Sequence, residues 1–223
     1  MKKLLAVVAI LLMVAALFSC ATKPTKDQEK ALKVEPQVYP PKVIEHKLTA
    51  LGGNVPEWVF QYANGEDMEE KREFKDLYVF VFEQTGKDLE GVKAWTRSFA
   101  AATEVARMVS TRVMNKFAGA QVGDKDMVET YMEEVAAVLA VAEYAGARKK
   151  DDFWLHRQFY DDAGKPTEKI YTYYLFYTVP REQIDAAIKR ALDEQAGKTK
   201  PKTEEEQAAR DRVKQLFGNG LGG

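Results

Sequence analysis

The clearest alternation of side chains along the chain is the stretch DLYVFVFEQTG at residues 76–86. In an extended strand Leu77, Val79 and Val81 share one side, and the three aromatic residues Tyr78, Phe80 and Phe82 share the other. Both sides are apolar, and a strand with two apolar sides is covered on both faces of its sheet. The pattern therefore predicts a central strand.

Two long helices are predicted to follow this strand. Residues 89–118 carry apolar side chains at the three- and four-residue spacing of one helical stripe, formed by Trp95, Phe99, Ala102, Ala106, Val109, Val113 and Phe117. The sequence GAQVGDK interrupts this pattern with two glycines. A second stripe runs through residues 125–145, formed by Met127, Tyr131, Val135, Val138, Ala142 and Ala145. The short connection favours an antiparallel pair of helices.

The segment 151–180 has the pattern of a β-hairpin. Phe153, Leu155 and Phe159 alternate with more polar residues as far as the turn sequence DDAG, residues 161–164. The returning strand at about residues 168–179 is rich in aromatic and β-branched residues, and a helix with one apolar side begins after Pro180. The order β-α-α-β-β-α predicts one α+β domain, with helices packed on a small, largely antiparallel sheet.

The first twenty residues predict export and a lipid anchor. Two lysines precede an apolar run from Leu4 to Phe18, which is typical of a secretory signal and short for a membrane span. The run ends in LFSC, and the pattern favours a lipobox in which Cys20 is lipidated after removal of residues 1–19. The alternatives are an ordinary signal peptide, cleaved after Ala15, Ala16 or Ala21, and a strained transmembrane anchor.

Prolines and charges set the predicted domain limits. Residues 20–50 are polar and rich in lysine and proline, which predicts a flexible tether after the lipidated Cys20. The globular α+β domain is expected at residues 51–196. Residues 197–223 are expected to form a charged and mostly disordered tail, with room for a short helix at residues 203–217.

Charge and cysteine content exclude several classes of function. The chain has 33 basic and 34 acidic residues, and removal of Lys2 and Lys3 with the signal leaves 31 − 34 = −3. This balance gives no electrostatic footprint for nucleic acid. Because Cys20 is the single cysteine, disulfides and cysteine-ligated metal sites within one chain are excluded.

Catalytic chemistry is poorly represented in the sequence. The two histidines are His46, in the predicted tether, and His156, on a predicted strand where a surface role is favoured over a ligand or base. The terminal GNGLGG fits GxGxxG formally but lacks the strand and helix that a dinucleotide requires. Acidic pairs such as Asp151-Asp152 and Asp161-Asp162 favour solvated positions over a calcium site. We expect no catalytic residue, no metal and no cofactor.

The aromatic strand YTYYLFY is the most unusual stretch of the mature chain. Tyr171, Tyr173 and Tyr177 line one side of the strand, whereas Tyr174 and Phe176 line the other. Core packing is the favoured interpretation. The alternative is a half-exposed interaction face made of the three tyrosines together with Trp58, because tyrosine joins a large contact area to a polar tip.

Several segments together resemble the LPP-twenty family of small bacterial lipoproteins, whose relatives include envelope lipoproteins of the flagellar basal disk. The similar segments, over residues 52–195, are VPEWV, DLYVFVF, SFAAATEVARMVSTRV and YTYYLFYTVPREQIDAAIKRALDE, together with the lipobox LFSC. The resemblance implies a non-catalytic, membrane-anchored structural or surface protein that self-associates.

The sequence thus predicts a non-enzymatic bacterial envelope lipoprotein, anchored through Cys20, with a role in assembly or protein interaction. The outer membrane is the favoured location, because Ala21 follows the cysteine where an aspartate would favour inner-membrane retention. The alternative function is a periplasmic lipoprotein that binds a small apolar ligand between helices and sheet. A hydrolase, which would depend on scattered carboxylates and His156, is disfavoured.

Overall fold

A four-stranded antiparallel sheet in the order β1-β3-β4-β2 carries the fold in the computed structural model, which describes residues 39–120, 126 and 128–222. The strands are β1 (Lys42–His46), β2 (Leu77–Gly86), β3 (Arg148–Tyr160) and β4 (Pro166–Pro180). The helices are α1 (Glu57–Ala63), α2 (Leu89–Ser98), α3 (Ala101–Gly119), α4 (Glu129–Ala140), α5 (Arg181–Lys198) and α6 (Glu204–Leu216). The predicted α+β class and the predicted order of the main elements are confirmed.

The two sides of the sheet are covered unequally. Helices α2–α6 pack on one side, here called the helix face, where β2 and β4 contribute Tyr78, Phe80, Phe82, Tyr173, Leu175 and Val179. On the opposite side, α1 and the 3₁₀ turns Met68–Glu70 and Arg72–Phe74 cover a smaller core. That core contains Val79, Val81, Phe153, Leu155, Tyr174 and Phe176. Strand β4 is therefore buried on both sides along much of its length.

Strand β2 has the predicted faces but not the predicted position. Its two sides face the two cores as the alternation requires, but β2 lies at the edge of the sheet and pairs with β4 alone, from Leu77 opposite Pro180 to Gly86 opposite Tyr171. The expectation of a central strand was wrong because coverage of the faces and coverage of the edge are independent. Apolar side chains above and below a strand say nothing about its backbone neighbours.

The predicted helix over residues 89–118 is two helices. Helix α2 ends at Ser98, Phe99 has an extended backbone with φ −69° and ψ 112°, and α3 begins at Ala101. The apolar stripe does not reveal the break, because Trp95 and Phe99 before it and Ala106 after it all pack on the same core. Within α3 the stripe is largely correct, although Ala102 is exposed.

The second predicted helix is shorter than its apolar pattern. Helix α4 ends at Ala140, whereas the pattern continued to Ala145, which is exposed. The buried Tyr144 hydroxyl donates to Leu139 O at 3.2 Å, so the chain turns back on the last turn of the helix. Met127, assigned to the same stripe, lies outside the described residues.

Both predicted ends of the domain differ from the structure. Strand β1 lies inside the segment predicted to be a tether, and it pairs with β3 from Lys42 opposite Gln158 to His46 opposite Leu155. At the other end, the short helix expected at residues 203–217 is present as α6 (Glu204–Leu216), and its Val213 is buried in the helix-face core, so this part of the tail is folded. Strand β1 is held by backbone pairing with β3, and α6 by burial of apolar residues such as Val213, so both ends are fixed by distant parts of the chain.

The chain divides into two units by its contacts, and the described part of the smaller one comprises residues 39–40 and 160–165. It contains the predicted turn between β3 and β4. Asp161 N donates to Lys165 O at 2.9 Å, and Gly164, at φ 74°, donates its N–H to Asp161 O at the same distance. The Asp161 carboxylate accepts from two turn amides, so it is a turn residue, as the sequence indicates. The larger unit holds the remaining described residues.

Candidate interaction surfaces

The three tyrosines proposed as an interaction face belong largely to the core. Tyr173 is only 9% exposed, and its hydroxyl donates to Asp152 Oδ1 at 2.8 Å. Burial, and then the neighbouring carboxylate, raise the pKa of Tyr173. Tyr171 and Tyr177 are half-buried against the same core.

Tyr171 is also held in an aromatic stack that the sequence did not predict. Its ring lies parallel to His156, with 3.8 Å between ring centroids and 9° between ring planes, and Trp154 packs edge-on at 5.9 Å. The His156 side chain is 14% exposed, and its Nδ1 lies 3.7 Å from Glu45 Oε2. This histidine thus has a packing role at the join of β1 and β3.

Trp58 lies on the other side of the sheet from these tyrosines. Its ring packs against Phe176 with centroids 5.1 Å apart, and its Nε1 donates to Asp151 Oδ2 at 2.9 Å. Tyr171, Tyr173, Tyr177 and Trp58 therefore do not form one surface. Core packing, the interpretation favoured for the tyrosines, agrees with their positions, and α1 holds Trp58 on the side of the sheet opposite to them.

The end of β1 is fixed by a charge cluster around Asp152. Its carboxylate accepts from Lys47 Nζ at 2.6 Å, Lys149 Nζ at 2.7 Å and the Tyr173 hydroxyl. Burial by itself raises the pKa of Asp152, but the hydrogen bonds from Lys149, Lys47 and Tyr173 outweigh it and lower that pKa to about 2. The cluster is a structural fastening of β1 to the centre of the sheet.

An apolar groove lies beside β1, between this strand and α1, and is here called the β1–α1 groove. It has a volume of about 580 Å³ and is lined by Pro41, Val43, Ile44, Glu45, His46, Thr49, Val55, Val59, Phe60, Ala63, Leu155 and Arg157. Val43 is 40% exposed, Ile44 42% and Phe60 54%. Exposed apolar residues gathered in one concave place are typical of interaction or ligand sites.

The edge of β1 that borders this groove is irregular. The pairing of β1 with β3 shifts register between Val43 and Glu45, so Ile44 sits in a bulge. A bulge leaves one residue out of the ladder and increases the local twist. Strand β1 therefore presents apolar side chains at its edge while its backbone is a poor template for another strand.

The opposite edge of the sheet is protected by side chains. Glu69 Oε1 accepts from Val79 N at 2.8 Å, and Arg112 Nη2 donates to Val79 O at 2.6 Å. The same two side chains form an ion pair at 2.8 Å, and Arg181 reaches Glu69 at 3.3 Å. The outward N–H and C=O of Val79 are thus both satisfied, which closes this point of the β2 edge.

A second groove, here called the β2-edge groove, continues along β2 beyond Val79. Its volume is about 590 Å³, and it is lined by Tyr62, Val81, Phe82, Glu83, Gln84, Trp95, Phe99, Glu104, Arg107, Met108, Thr111, Arg112 and Asn115. Because hydrogen-bonding direction alternates along an antiparallel strand, Val81, Glu83 and Thr85 present their backbone groups outward as Val79 does. This groove therefore combines open backbone with side chains from both faces of the sheet.

Glu69 and Arg112 were not predicted as important residues. They lie 43 positions apart in the chain, in a 3₁₀ turn and in α3, and neither belongs to a recognisable motif. A weak signal was present in Arg112, a charged residue that follows the buried Val109 by three positions and so lies at the border of the helical stripe.

Over residues 39–120, 126 and 128–222, no three His, Cys, Asp or Glu side chains are grouped in a way that could hold a metal ion. Within the same residues, no helix has both the length and the apolar character needed to cross a bilayer. The predicted lipidation site Cys20 and the predicted signal peptide lie outside the described residues.

The two grooves are accordingly the candidate sites of the described domain, one apolar and one with open backbone. Comparison of the chain with protein-family models, with curated proteins and with solved structures finds no match.

Proposed function

We propose that this protein is a bacterial envelope lipoprotein, anchored through Cys20 at the outer membrane and facing the periplasm or the surface. Its folded domain has a non-enzymatic role in assembly or protein interaction, through the β1–α1 groove. One observation carries the second part: Val43, Ile44 and Phe60 are 40–54% exposed around a single groove of about 580 Å³. The LFSC sequence at residues 17–20 supports the first part.

The energetics of the groove support a protein partner. Burying a whole Val, Ile or Phe side chain contributes about 1.5–3 kcal/mol, so covering the exposed halves of Val43, Ile44 and Phe60 contributes about 3 kcal/mol together. That is the scale of an interface hot spot. The charged side chains of Glu45 and Arg157 line the same groove and provide a polar rim.

The position of the groove in the chain also fits an anchored protein. Pro41, the first residue of its lining, follows Cys20 by 41 − 20 = 21 residues. An extended chain of that length reaches at most about 75 Å. A lipid on Cys20 would hold the groove within that distance of the membrane surface, where envelope proteins are its neighbours.

The second candidate function is binding of a small apolar molecule in the same groove. The groove lies between α1 and the sheet, and its volume of about 580 Å³ falls inside the range typical of ligand clefts, about 300–1,000 Å³. Val55, Val59 and Leu155 supply the apolar floor. This candidate differs from the first in the size and chemistry of what co-purifies with the protein.

The anchor is tested by the intact mass of protein purified from its own membranes. The wild-type chain should lack residues 1–19 and carry the added mass of a lipid on Cys20, whereas Cys20→Ser should retain the signal or lose the lipid. A wild-type mass equal to the unmodified chain would refute the anchor. Native mass spectrometry of the same sample reports any bound small molecule, which would favour the second candidate.

The groove is tested by Phe60→Ser and Ile44→Ser in the full-length chain, each followed by cross-linking in membranes. A matched control is Val141→Ser, because Val141 is 82% exposed and does not line the groove. We expect both groove variants to lose most cross-linked product, to self or to an envelope protein, while the control retains it. Equal cross-linking in all three variants, with no co-purified ligand in the wild type, would overturn the role of the groove.

A further inference from the structure

The outward backbone of β2 is satisfied at one residue and open beyond it. Glu69 and Arg112 occupy the N–H and C=O of Val79. At Val81 and Glu83, the next two outward positions, no described residue pairs with the backbone N–H or C=O. At Thr85 the carbonyl accepts a long bond of 3.3 Å from Gln84 Nε2. An open row of this kind is a template for an added strand.

We propose that the β2 edge from Val81 to Thr85 binds an extended peptide segment of another protein as a fifth strand, and that the segment alternates apolar and basic residues. This surface is separate from the β1–α1 groove and does not depend on the function proposed for it. Main-chain hydrogen bonds would give affinity, and the two sides of the β2-edge groove would give specificity.

The helix-face side of the groove selects the apolar residues. Trp95 and Phe99, with ring centroids 5.0 Å apart, line this side together with Phe82 and Met108. Trp95 and Phe99 are only half-buried against the core. A side chain pointing to this side of the added strand would therefore contact aromatic rings and a flexible thioether, which accept varied apolar shapes.

The opposite side of the groove selects the basic residues. Glu83 is exposed on this side, and burial followed by the Glu83 carboxylate raises the pKa of the neighbouring Tyr62. The groove's two arginines are engaged elsewhere, Arg107 with Glu104 at 2.9 Å and Arg112 with Glu69 at 2.8 Å. Within the described part of the chain Glu83 forms no ion pair. A lysine or arginine of the added strand, directly opposite Glu83, would therefore form a favourable cross-strand pair.

The same geometry disfavours a second copy of β2 as the occupant. A two-fold antiparallel pairing centred on Glu83 would place the two Glu83 carboxylates opposite each other, which is destabilising. If the pairing were centred nearer the start of β2, the second copy would have to pair with Val79. The N–H and C=O of Val79 are already bonded to Glu69 and Arg112. A register centred one residue later extends past the end of the strand at Gly86. A segment of a different protein meets none of these obstacles.

The test uses the full-length chain in detergent micelles and two short fluorescein-labelled peptides, one alternating leucine with lysine and the other alternating leucine with glutamate. Fluorescence anisotropy should show binding of the lysine peptide and little binding of the glutamate peptide. Glu83→Lys should weaken the lysine peptide about fivefold and strengthen the glutamate peptide. The matched control is Glu133→Lys, an exposed carboxylate on α4, which should leave both affinities unchanged.

A second pair of peptides tests the backbone pairing without altering the protein. The lysine peptide is N-methylated either at its odd or at its even amides, so that the two forms have the same composition. Because one set of amides faces β2 and the other faces away, one form should lose binding and the other should keep it. Val141→Ser, at an exposed residue that lines neither groove, should change neither result.

Three results would overturn the proposal. They are no binding of the lysine peptide, an unchanged preference in Glu83→Lys, and equal affinities of the two N-methylated forms. Any of them leaves the β1–α1 groove and the lipid anchor untouched, because those are tested with other variants and other readouts.

Discussion

Two charged side chains occupy the outward backbone at Val79 on one edge of the sheet, whereas the other edge carries a bulge at Ile44 and exposed apolar side chains. Both devices hinder edge-to-edge aggregation. They leave different surfaces behind. Strand β2 keeps a stretch of regular, open backbone beyond Val79, and β1 keeps an apolar groove with irregular backbone.

The comparison shows that one position of an edge strand can be protected while the neighbouring positions of the same strand remain open to a partner. The Glu69–Arg112 pair closes one position of β2 without closing the strand. The bulge in β1 disturbs the ladder without removing Val43, Ile44 and Phe60 from solvent. Each edge therefore suits one class of partner, an extended peptide at β2 and an apolar surface or small molecule at β1.

The largest expected effect comes from removing the protection of β2 with Glu69→Ala. The change leaves Val79 N without its acceptor, and it leaves Arg112 and Arg181 without their carboxylate. Since Glu69 is 16% exposed, we expect the free energy of unfolding to fall by about 2–3 kcal/mol, below the value for a fully buried pair. Urea unfolding followed by circular dichroism measures it.

The control for this prediction is the neighbouring Glu70→Ala, because Glu70 is exposed and the carboxylate that accepts from Val79 N is that of Glu69. It should change the free energy of unfolding by no more than about 0.5 kcal/mol. Equal stabilities of the two variants would mean that the Glu69–Arg112 pair does not stabilise the edge.

The contrast between the edges also shows what the sequence could and could not predict. The two faces of β2 follow from the two-residue period of DLYVFVF, and the turn at Asp161 follows from its composition; both are confirmed. The edge position of β2 could not be predicted, because the pairing partner of a backbone leaves no mark on side-chain periodicity. The break at Phe99 was missed for a related reason, since neither glycine nor proline marks it.

The candidate sites were harder still to predict. The tyrosines of β4 were visible as a pattern, but their burial depends on α2 and α5, which pack on them from elsewhere in the chain. Glu69 and Arg112 meet across 43 residues, and Ile44 became a groove residue because its segment added a strand to β3. Each of these depends on long-range contacts rather than on local sequence.

The second prediction concerns Asp152→Asn, which weakens the charge cluster that holds the end of β1 against β3. The folded pKa of Asp152 is lowered from 3.8 to about 2, so its stabilisation is present above the unfolded pKa and is lost as the pH falls from about 4 to about 2. At neutral pH the variant should lose about 1–2 kcal/mol of unfolding free energy, a figure discounted for partial solvent screening. Urea unfolding at several pH values measures both effects.

The prediction concerns how steeply the free energy of unfolding changes with pH, as well as its value at neutral pH. The variant's stability should fall less steeply between pH 4 and 2 than that of the wild type, and the two curves should converge at the acid end. Asp76→Asn, at a side chain that is 81% exposed, is the control and should follow the wild type. Parallel curves for the wild type and Asp152→Asn would contradict the assigned role.

The third prediction concerns the end of the open stretch of β2. A Cβ added at Gly86 would lie 2.8 Å from Val92 Cγ1, and Val92 is only 3% exposed. Gly86→Ala should therefore destabilise the fold by about 1–2 kcal/mol through overpacking. Thermal unfolding measures it, and the double change with Val92→Ala should cost less than the sum of the single changes. Additive losses of stability would show that the two side chains are not in contact. The neutral control is Gly119→Ala, because a Cβ added there would have no atom within 4 Å.

The smallest expected effect is Trp58→Phe, at the contact of α1 with the sheet. The substitution keeps an aromatic ring against Phe176 but removes the 2.9 Å hydrogen bond from Nε1 to Asp151 Oδ2. We expect a loss of about 1 kcal/mol in urea unfolding. In an Asp151→Ala background the same substitution should cost clearly less, because the acceptor is already absent. An equal cost in both backgrounds would assign the effect to ring packing alone, and α1 would then be held on the sheet by apolar contact without the hydrogen bond that orients it.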